Sequence, residues 1–447
     1  MAHEQESRRE DNVQSCDEYF ETIQSRKKLS PSLQESLTSA FAHIRVSSFP
    51  QVPGGKVIEI VADTTVLDAV KILSESNILS APVVNPDATN SKDWRERYLG
   101  IVDYSAIVLW VLQNAELAAA ALAASSAAAA GIGTGAAGAL GALAFGATGP
   151  LAVAGLTAAA VGAAVVGGMA ADKGMGKDAP TAADKLGEDF YKVLLNEEPF
   201  KSTTVRSILK SYRWAPFVPV ATDSSMLSVL LLLSKYRLRN IPVIEMGSPT
   251  VKNFITQSAV IHGLLECKGR DWFDCITSHP ISALGLPFMS SDQVVSVQSD
   301  ELILEAFKKM KDKQIGGLPV VEGPNMKIIG NISIRDIRFL LLKPELFASF
   351  RELTAKDFIT TIASATNNVG KTATPITCKH DSTLGSVIDT LAYMAVYRVY
   401  VVSGQGNEVI GVITLRDVIS CFITEPPNFF DDYFGFAAKE ILNKQGV

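Results

Sequence analysis

The chain has 447 residues, 47% hydrophobic and 20% charged, with a formal net charge of −6 at pH 7. That length allows about two to four domain-sized units with a sizeable core, and without a Lys/Arg stripe a nucleic-acid surface is excluded. Five scattered cysteines (Cys16, Cys267, Cys275, Cys378, Cys421) and five histidines make no Cys-x-x-Cys or His-Glu-x-x-His spacing, which argues against a disulfide framework or a catalytic metal and for a reducing compartment, cytoplasmic and by extension nuclear.

In chain order, the opening MAHEQESRREDNVQSCDEY is charged and has no apolar core segment, so it is no ordinary secretory signal. Residues 1–48 read as a largely disordered leader. Four segments on fixed spacings follow: 49–115, 197–266, 292–345 and 373–424. Between them lie an Ala/Gly-rich insert and linker (116–196) and two linkers (267–291 and 346–372). A tail, 425–447, follows the last.

Each segment opens with an Asp before an apolar-periodic stretch: Asp63, Asp223, Asp300 and Asp381. Nineteen residues on lies the anchor of a short apolar strand: Pro82, Pro242, Pro319 and Tyr400. A third block follows: GIVDYSAIV, NFITQSAVI, GNISIRDIR and GVITLRDVI. Its seventh residue lies seventeen positions after the anchor in repeats two, three and four, and twenty-four in repeat one. The extra seven fall in the polar stretch NPDATNSKDWRERY, where insertion is cheap.

The spacing predicts a β-α-β-β-α unit. A short strand (VIEIV, FVPVA, VVSVQ, PITCK) precedes the Asp, which, helped by Thr65, Ser225 or Thr383, is a natural N-cap. Val66, Ala69, Val70 and Leu73, and in the third unit Leu302, Ala306, Phe307 and Met310, recur at helical spacing. Two β-branched strands come next, and a second helix starts at a Ser/Thr-x-x-Asp cap. One unit of about 50 residues cannot close a core alone. Two can, sheet against sheet, giving an α+β chain of four units in two pairs.

The tract AAAAGIGTGAAGALGALAFGATGP lies in the insert. Gly133-x-Gly135-x-x-Gly138 spells a dinucleotide fingerprint, but an Ala-rich helix precedes it and the next acidic residue is Asp172. A Rossmann loop needs a strand before it and an acid about 20 positions later. The uncharged run 117–171 is long enough for a membrane hairpin, yet Ala and Gly contribute little transfer free energy. The favoured reading is a helical hairpin or a glycine-laced association surface, with membrane insertion disfavoured.

The unit, with its Gly-h-h-Ser/Thr-x-x-Asp ending, resembles the CBS domain. Four copies, paired one-two and three-four as two Bateman modules, resemble the gamma subunit of the AMP-activated and sucrose-non-fermenting family of protein kinases. KSTTVRSILKSYRWAPFVPV, SKYRLRNIPVI and CKGRDWFD are similar to the plant gamma-type subunit. The resemblance implies kinase catalytic (alpha) and scaffold (beta) partners, and AMP, ADP or ATP as a ligand with no required cofactor. It implies that the Asp of the last block binds ribose, that its Ser/Thr binds the first phosphate or sugar, and that basic residues neutralise phosphate. Those positions are Ser333 and Asp336 in repeat three, and Thr414 and Asp417 in repeat four. The resemblance places Arg398 where the family's fourth repeat has a phosphate-binding Arg, with Tyr397 where the family has His, and puts Arg335 and Arg416 within reach of phosphate. Repeats one and two carry Ala106 and Ala259 at the ribose position. Leu79 and Gln257-Ser258 replace basic residues, and Gly316 replaces a Ser.

Plain structural readings stand beside these. Asp336 and Asp417 also suit helix caps. Arg335 and Arg416 also suit surface ion pairs. Arg237 and Arg239 suit a solvated helix end or a phosphate-facing edge equally. The chain lacks the kinase catalytic motifs, a Gly-x-Ser-x-Gly elbow and a P-loop. The expectation is a non-catalytic kinase regulatory subunit. The alternative is a free-standing CBS-pair adenine-nucleotide sensor for another enzyme or transporter.

Overall fold

The computed structural model describes residues 16–112, 201–211, 216–245, 247–343, 346, 352–365, 375–404, 406–427 and 429–430. The Ala/Gly tract and the hairpin expected there lie outside them.

Twelve strands among the described residues follow the predicted repeat. They are β1 (Ile60–Val61), β2 (Ser80–Val84), β3 (Tyr98–Asp103), β4 (Val220–Ala221), β5 (Asn240–Ile244), β6 (Val251–Thr256), β7 (Val297–Gln298), β8 (Gly317–Glu322), β9 (Lys327–Ser333), β10 (Thr377–Cys378), β11 (Arg398–Ser403) and β12 (Glu408–Thr414). In each unit the first strand runs parallel to the second across a helix, and the second runs antiparallel to the third. The copies share even their irregularities. A bulge interrupts the antiparallel pair just after the anchor: Val83/Val84, Val243/Ile244, Val320/Val321 and Val401/Val402. Five residues before each anchor, the chain leaves the first helix through a left-handed residue: Asn77, Arg237, Gln314 and Ala395, with φ from 50° to 55°. That turn is a common way to end a helix and aim the next strand back.

The helix starts correct one expectation. The caps are Thr65, Ser225 and Thr383, whose side chains accept from Asp68, Ser228 and Ser386 N–H. The Asp two residues earlier lies in the preceding turn. In repeat three the cap position is Leu302, which makes no side-chain cap bond and is exposed, while Ile303 takes the core place expected for Leu302. Val66, Ala69, Val70 and Leu73 are buried as the period requires.

Two kinds of apolar layer assemble the units. Sheet faces join one with two (Val57, Val84, Tyr98 and Ile101 against Phe217, Val251 and Phe254) and three with four (Val294, Val321 and Ile328 against Tyr400, Val402 and Val409). Glu408 pairs Lys327, fusing repeats three and four into one six-stranded sheet. Helices then join the pairs. One core merges the helices of repeats one and three, the other those of two and four.

The segment leading into each repeat docks on its partner repeat. Arg45 bridges Ser225, Thr204 bridges Thr65, Pro280 bridges Thr383 and Thr354 bridges Leu302. Helices Pro31–His43, Val205–Ser211, Asp271–Thr277 and Ala355–Ala365 ride on these crossings. The disordered leader is therefore corrected for its described part. Helices Cys16–Arg26 and Pro31–His43 place Phe20, Ile23, Leu37 and Phe41, and the link between them Leu29, in the core of repeats two and four. Lys27 donates to the carbonyls of Ser420 (3.1 Å) and Ile423 (2.7 Å). Gly285, at φ 86°, lets the Arg26 carbonyl approach where a Cβ would overlap it.

Candidate functional site

All four repeats meet at a central cavity of about 1550 Å³. Each left-handed turn (Asn77, Arg237, Gln314, Ala395) lines it, and each repeat adds residues from the block after its third strand. The lining cations include Arg237, Arg239, Arg335, Arg398 and Arg416; the lining carboxylates are Asp103, Glu266 and Asp417. The wall is cationic in balance, which suits an anionic ligand.

Asp417 shows how the fold builds this wall. Its Oδ2 accepts from Thr414 N (2.8 Å) and Thr414 Oγ1 (2.8 Å), while Thr414 Oγ1 accepts from Asp417 N. This reciprocal capping box starts helix Leu415–Cys421 and spends one carboxylate oxygen, leaving Oδ1 outside these bonds. The residue is 8% exposed. Burial raises its pKa above the ordinary carboxylate value, against the Thr414 bonds and Arg416. Ser333 and Asp336 repeat the box, with Oδ2 accepting at 2.8 and 3.1 Å. Burial raises Asp336 too, with Arg338 and Arg335 as its charged neighbours. Asp336 is not among the cavity-lining residues, whereas Ser333, Arg335, Arg398, Thr414, Arg416 and Asp417 are. The geometry thus separates two carboxylates that read alike in sequence.

Arg398 stands in register with Thr414 across β11 and β12, and Gly317 with Ser333 across β8 and β9. The Arg398 guanidinium crosses between the repeats onto Gly316-Gly317; a Cβ at 317 would overlap it. Its Nη1 is buried and has no hydrogen-bond acceptor among the described residues. The guanidinium also sits beside the Tyr400 phenol, which burial pushes up to about 12 against Arg398's opposing charge. A buried donor without an acceptor is costly, and a phosphate oxygen satisfies it with a charge-assisted bond. The residues present therefore fit an anion.

Arg335 and Arg416 turn out to be anchors between repeats rather than surface ion pairs. Arg416 Nε donates to Ser234 O (2.7 Å), at the end of helix Met226–Ser234, and Arg335 donates to Asn77 Oδ1 just past helix Val66–Glu75. Arg239 donates to Asp103 Oδ2 (3.0 Å) and to the Ser105 hydroxyl. Asp103 went unnoticed in the sequence, although it occupies the Ser/Thr position of GIVDYSAIV. Aligning that column alone picks it out. The pairing of Gly317 with Arg398 needs the three-dimensional structure.

The fold and cavity define a four-repeat CBS protein. The CBS domain family matches residues 51–113, 286–343 and 369–423, and β4 to β6 with their helices supply the remaining copy. The crystal structure of protein MJ1225 from Methanocaldococcus jannaschii superposes with a TM-score of 0.50 over 83% of this chain and all of that one, at 13% identity, which speaks to the fold alone. In sequence, the SNF1-related protein kinase regulatory subunit gamma-1-like of Arabidopsis thaliana is 68% identical over 97% of both chains. The SNF1-related protein kinase regulatory subunit gamma-1 of the same plant is 37% identical over 92% of this chain and 88% of its own. The chain belongs to this family of SNF1-related protein kinase regulatory gamma subunits.

Proposed function

We propose that the chain is the non-catalytic gamma-type subunit of a heterotrimeric SNF1-related serine/threonine kinase, bound to a catalytic alpha and a scaffold beta subunit in the cytoplasm and nucleus. Its cavity takes an adenine nucleotide on the repeat three/four wall. The observation that carries the ligand reading is the row formed there: Arg398 with a buried unsatisfied Nη1, in register with the Thr414–Asp417 box. Asp417 Oδ1 accepts from the ribose hydroxyls, and the Arg398 guanidinium, with Arg416 beside the box, neutralises the phosphate. The nucleotide is a regulatory ligand and undergoes no chemistry. Full-length identity of 68% to a regulatory gamma-1-like subunit favours the kinase complex over a free-standing sensor for another enzyme or transporter.

Calorimetric titration of AMP into the full chain tests the site. Asp417→Asn and Arg398→Gln each weaken binding by about tenfold or more, as expected for loss of a charge-assisted contact. Unchanged affinity in both variants contradicts the placement.

A further inference from the structure

The two repeat pairs present the same row of four positions to the cavity, filled in opposite ways. In repeats three and four the row is Ser333, Gly317, Arg398 and Thr414, held by strand register and by Arg398 crossing onto Gly317. In repeats one and two the equivalents are Asp103, Ser80, Asn240 and Thr256, again paired in register as Ser80 with Asp103 and Asn240 with Thr256. Here the crossing contact is neutral: Asn240 Nδ2 donates to Ser80 Oγ at 2.8 Å, and both residues are buried. Arg239, next in sequence to Asn240, is the cation that meets this row; Arg237 of the same repeat and Lys56 of repeat one also line the cavity. Its Nη1 is engaged by Asp103 Oδ2 at 3.0 Å and by the Ser105 hydroxyl.

Asp103 is the carboxylate among the four hydroxyl-type positions; the others are Thr256, Ser333 and Thr414. It is 2% exposed. Like those hydroxyls it caps the following helix, with Oδ1 accepting from Ser105 N (2.9 Å) and Ala106 N (3.1 Å). The capping job needs one acceptor oxygen, which Ser or Thr supplies equally well. The second oxygen is what a hydroxyl lacks, and it is the one that holds Arg239. A carboxylate fixed on a guanidinium nitrogen takes up a donor that a phosphate would use, and a second anion placed there meets like charge.

We propose that Asp103 is a selectivity residue: it serves as a built-in anion on Arg239, closes the repeat one/two wall to phosphate-bearing ligands and confines anion binding to the repeat three/four wall. This rests on the reading of the cavity as an anion site. It gives the loss of the ribose carboxylate at Ala106 and Ala259 a counterpart in the phosphate shell, where Arg239 is already held by Asp103 on the same half of the molecule.

The test uses the full chain and two probes, inorganic phosphate and AMP, titrated by calorimetry. Asp103→Thr keeps the cap as Thr256 and Thr414 do, and releases Arg239. Phosphate affinity then rises about tenfold, in line with one freed charge-assisted contact, and adding Arg239→Gln to the variant returns it to the wild-type value. Glu245→Gln, which removes an exposed carboxylate paired with Lys252, leaves phosphate binding as it was. AMP binding that depends on Asp417 reports separately on the repeat three/four wall, so its absence counts against that reading alone. Asp103→Thr with wild-type phosphate affinity and an unchanged melting curve overturns the proposal. So does failure of both Asp103→Thr and Asp103→Asn to fold, because the carboxylate is then a requirement of the fold.

Discussion

Asp417 is buried in a place where ionisation is penalised, yet a capping box functions with a neutral acceptor. Because burial raises its pKa in the folded chain, the folded state binds more protons than the unfolded one between the ordinary carboxylate value and the raised one. Stability therefore falls as pH rises through that window, and the ionised group weighs against folding at neutral pH. Asp417→Asn keeps an acceptor for Thr414 and sheds the charge. Its melting temperature at neutral pH stays within about 2 °C of the wild type or exceeds it, while AMP binding weakens by about tenfold or more. A large drop in melting temperature makes the residue structural first. Lys27 follows the opposite sign. Burial lowers it from 10.5 to about 8, so between those values the unfolded chain holds the extra proton and stability rises with pH. Relative to Lys27→Met, the wild type gains up to about 3 kcal/mol from pH 8 to 10.5, by urea melts at each pH. A constant difference across that range contradicts the burial argument.

At the scale of the element, repeat three starts its first helix at Leu302, exposed and without a side-chain cap bond, where Thr65, Ser225 and Thr383 cap the other copies. Leu302→Ser supplies the missing acceptor and stabilises the chain by about 0.5–1 kcal/mol; a lower denaturation midpoint contradicts this. Repeat spacing made the β-α-β-β-α order and the second-helix caps legible, because capping and strand alternation are local. The lead-in crossings were not legible: a bridge such as Thr354 to Leu302 joins segments about fifty residues apart without a periodic signal. The site was legible to the same depth. Thr414 and Asp417 announced themselves by spacing; that Asp336 misses the cavity and that Gly317 makes room for Arg398 follow from how repeats face one another. Residues 16–48 misled because their opening is charged, while Phe20, Ile23, Leu37 and Phe41 are spaced to dock on helices far along the chain.

For the whole molecule, the crossed lead-ins and merged helical cores tie the four repeats into one assembly around the cavity. Within the described residues the Cys16–Arg26 segment is part of that assembly: Thr22, Ile23 and Arg26 line the cavity, and Lys27 fastens the segment to the end of repeat four. Deleting residues 1–48 exposes a large apolar face on repeats two and four, so the truncated chain loses its single cooperative melt in scanning fluorimetry; an unchanged transition contradicts the docking. On the proposed reading, the assembly offers a kinase complex one nucleotide-binding wall on repeats three and four and, on repeats one and two, a wall where Asp103 holds Arg239. The most direct test of its role is co-expression with the catalytic and scaffold subunits of a SNF1-related kinase, followed by size-exclusion chromatography with light scattering. A single peak containing all three chains in equal amounts is the expected result. Elution of this chain apart from both partners would contradict it.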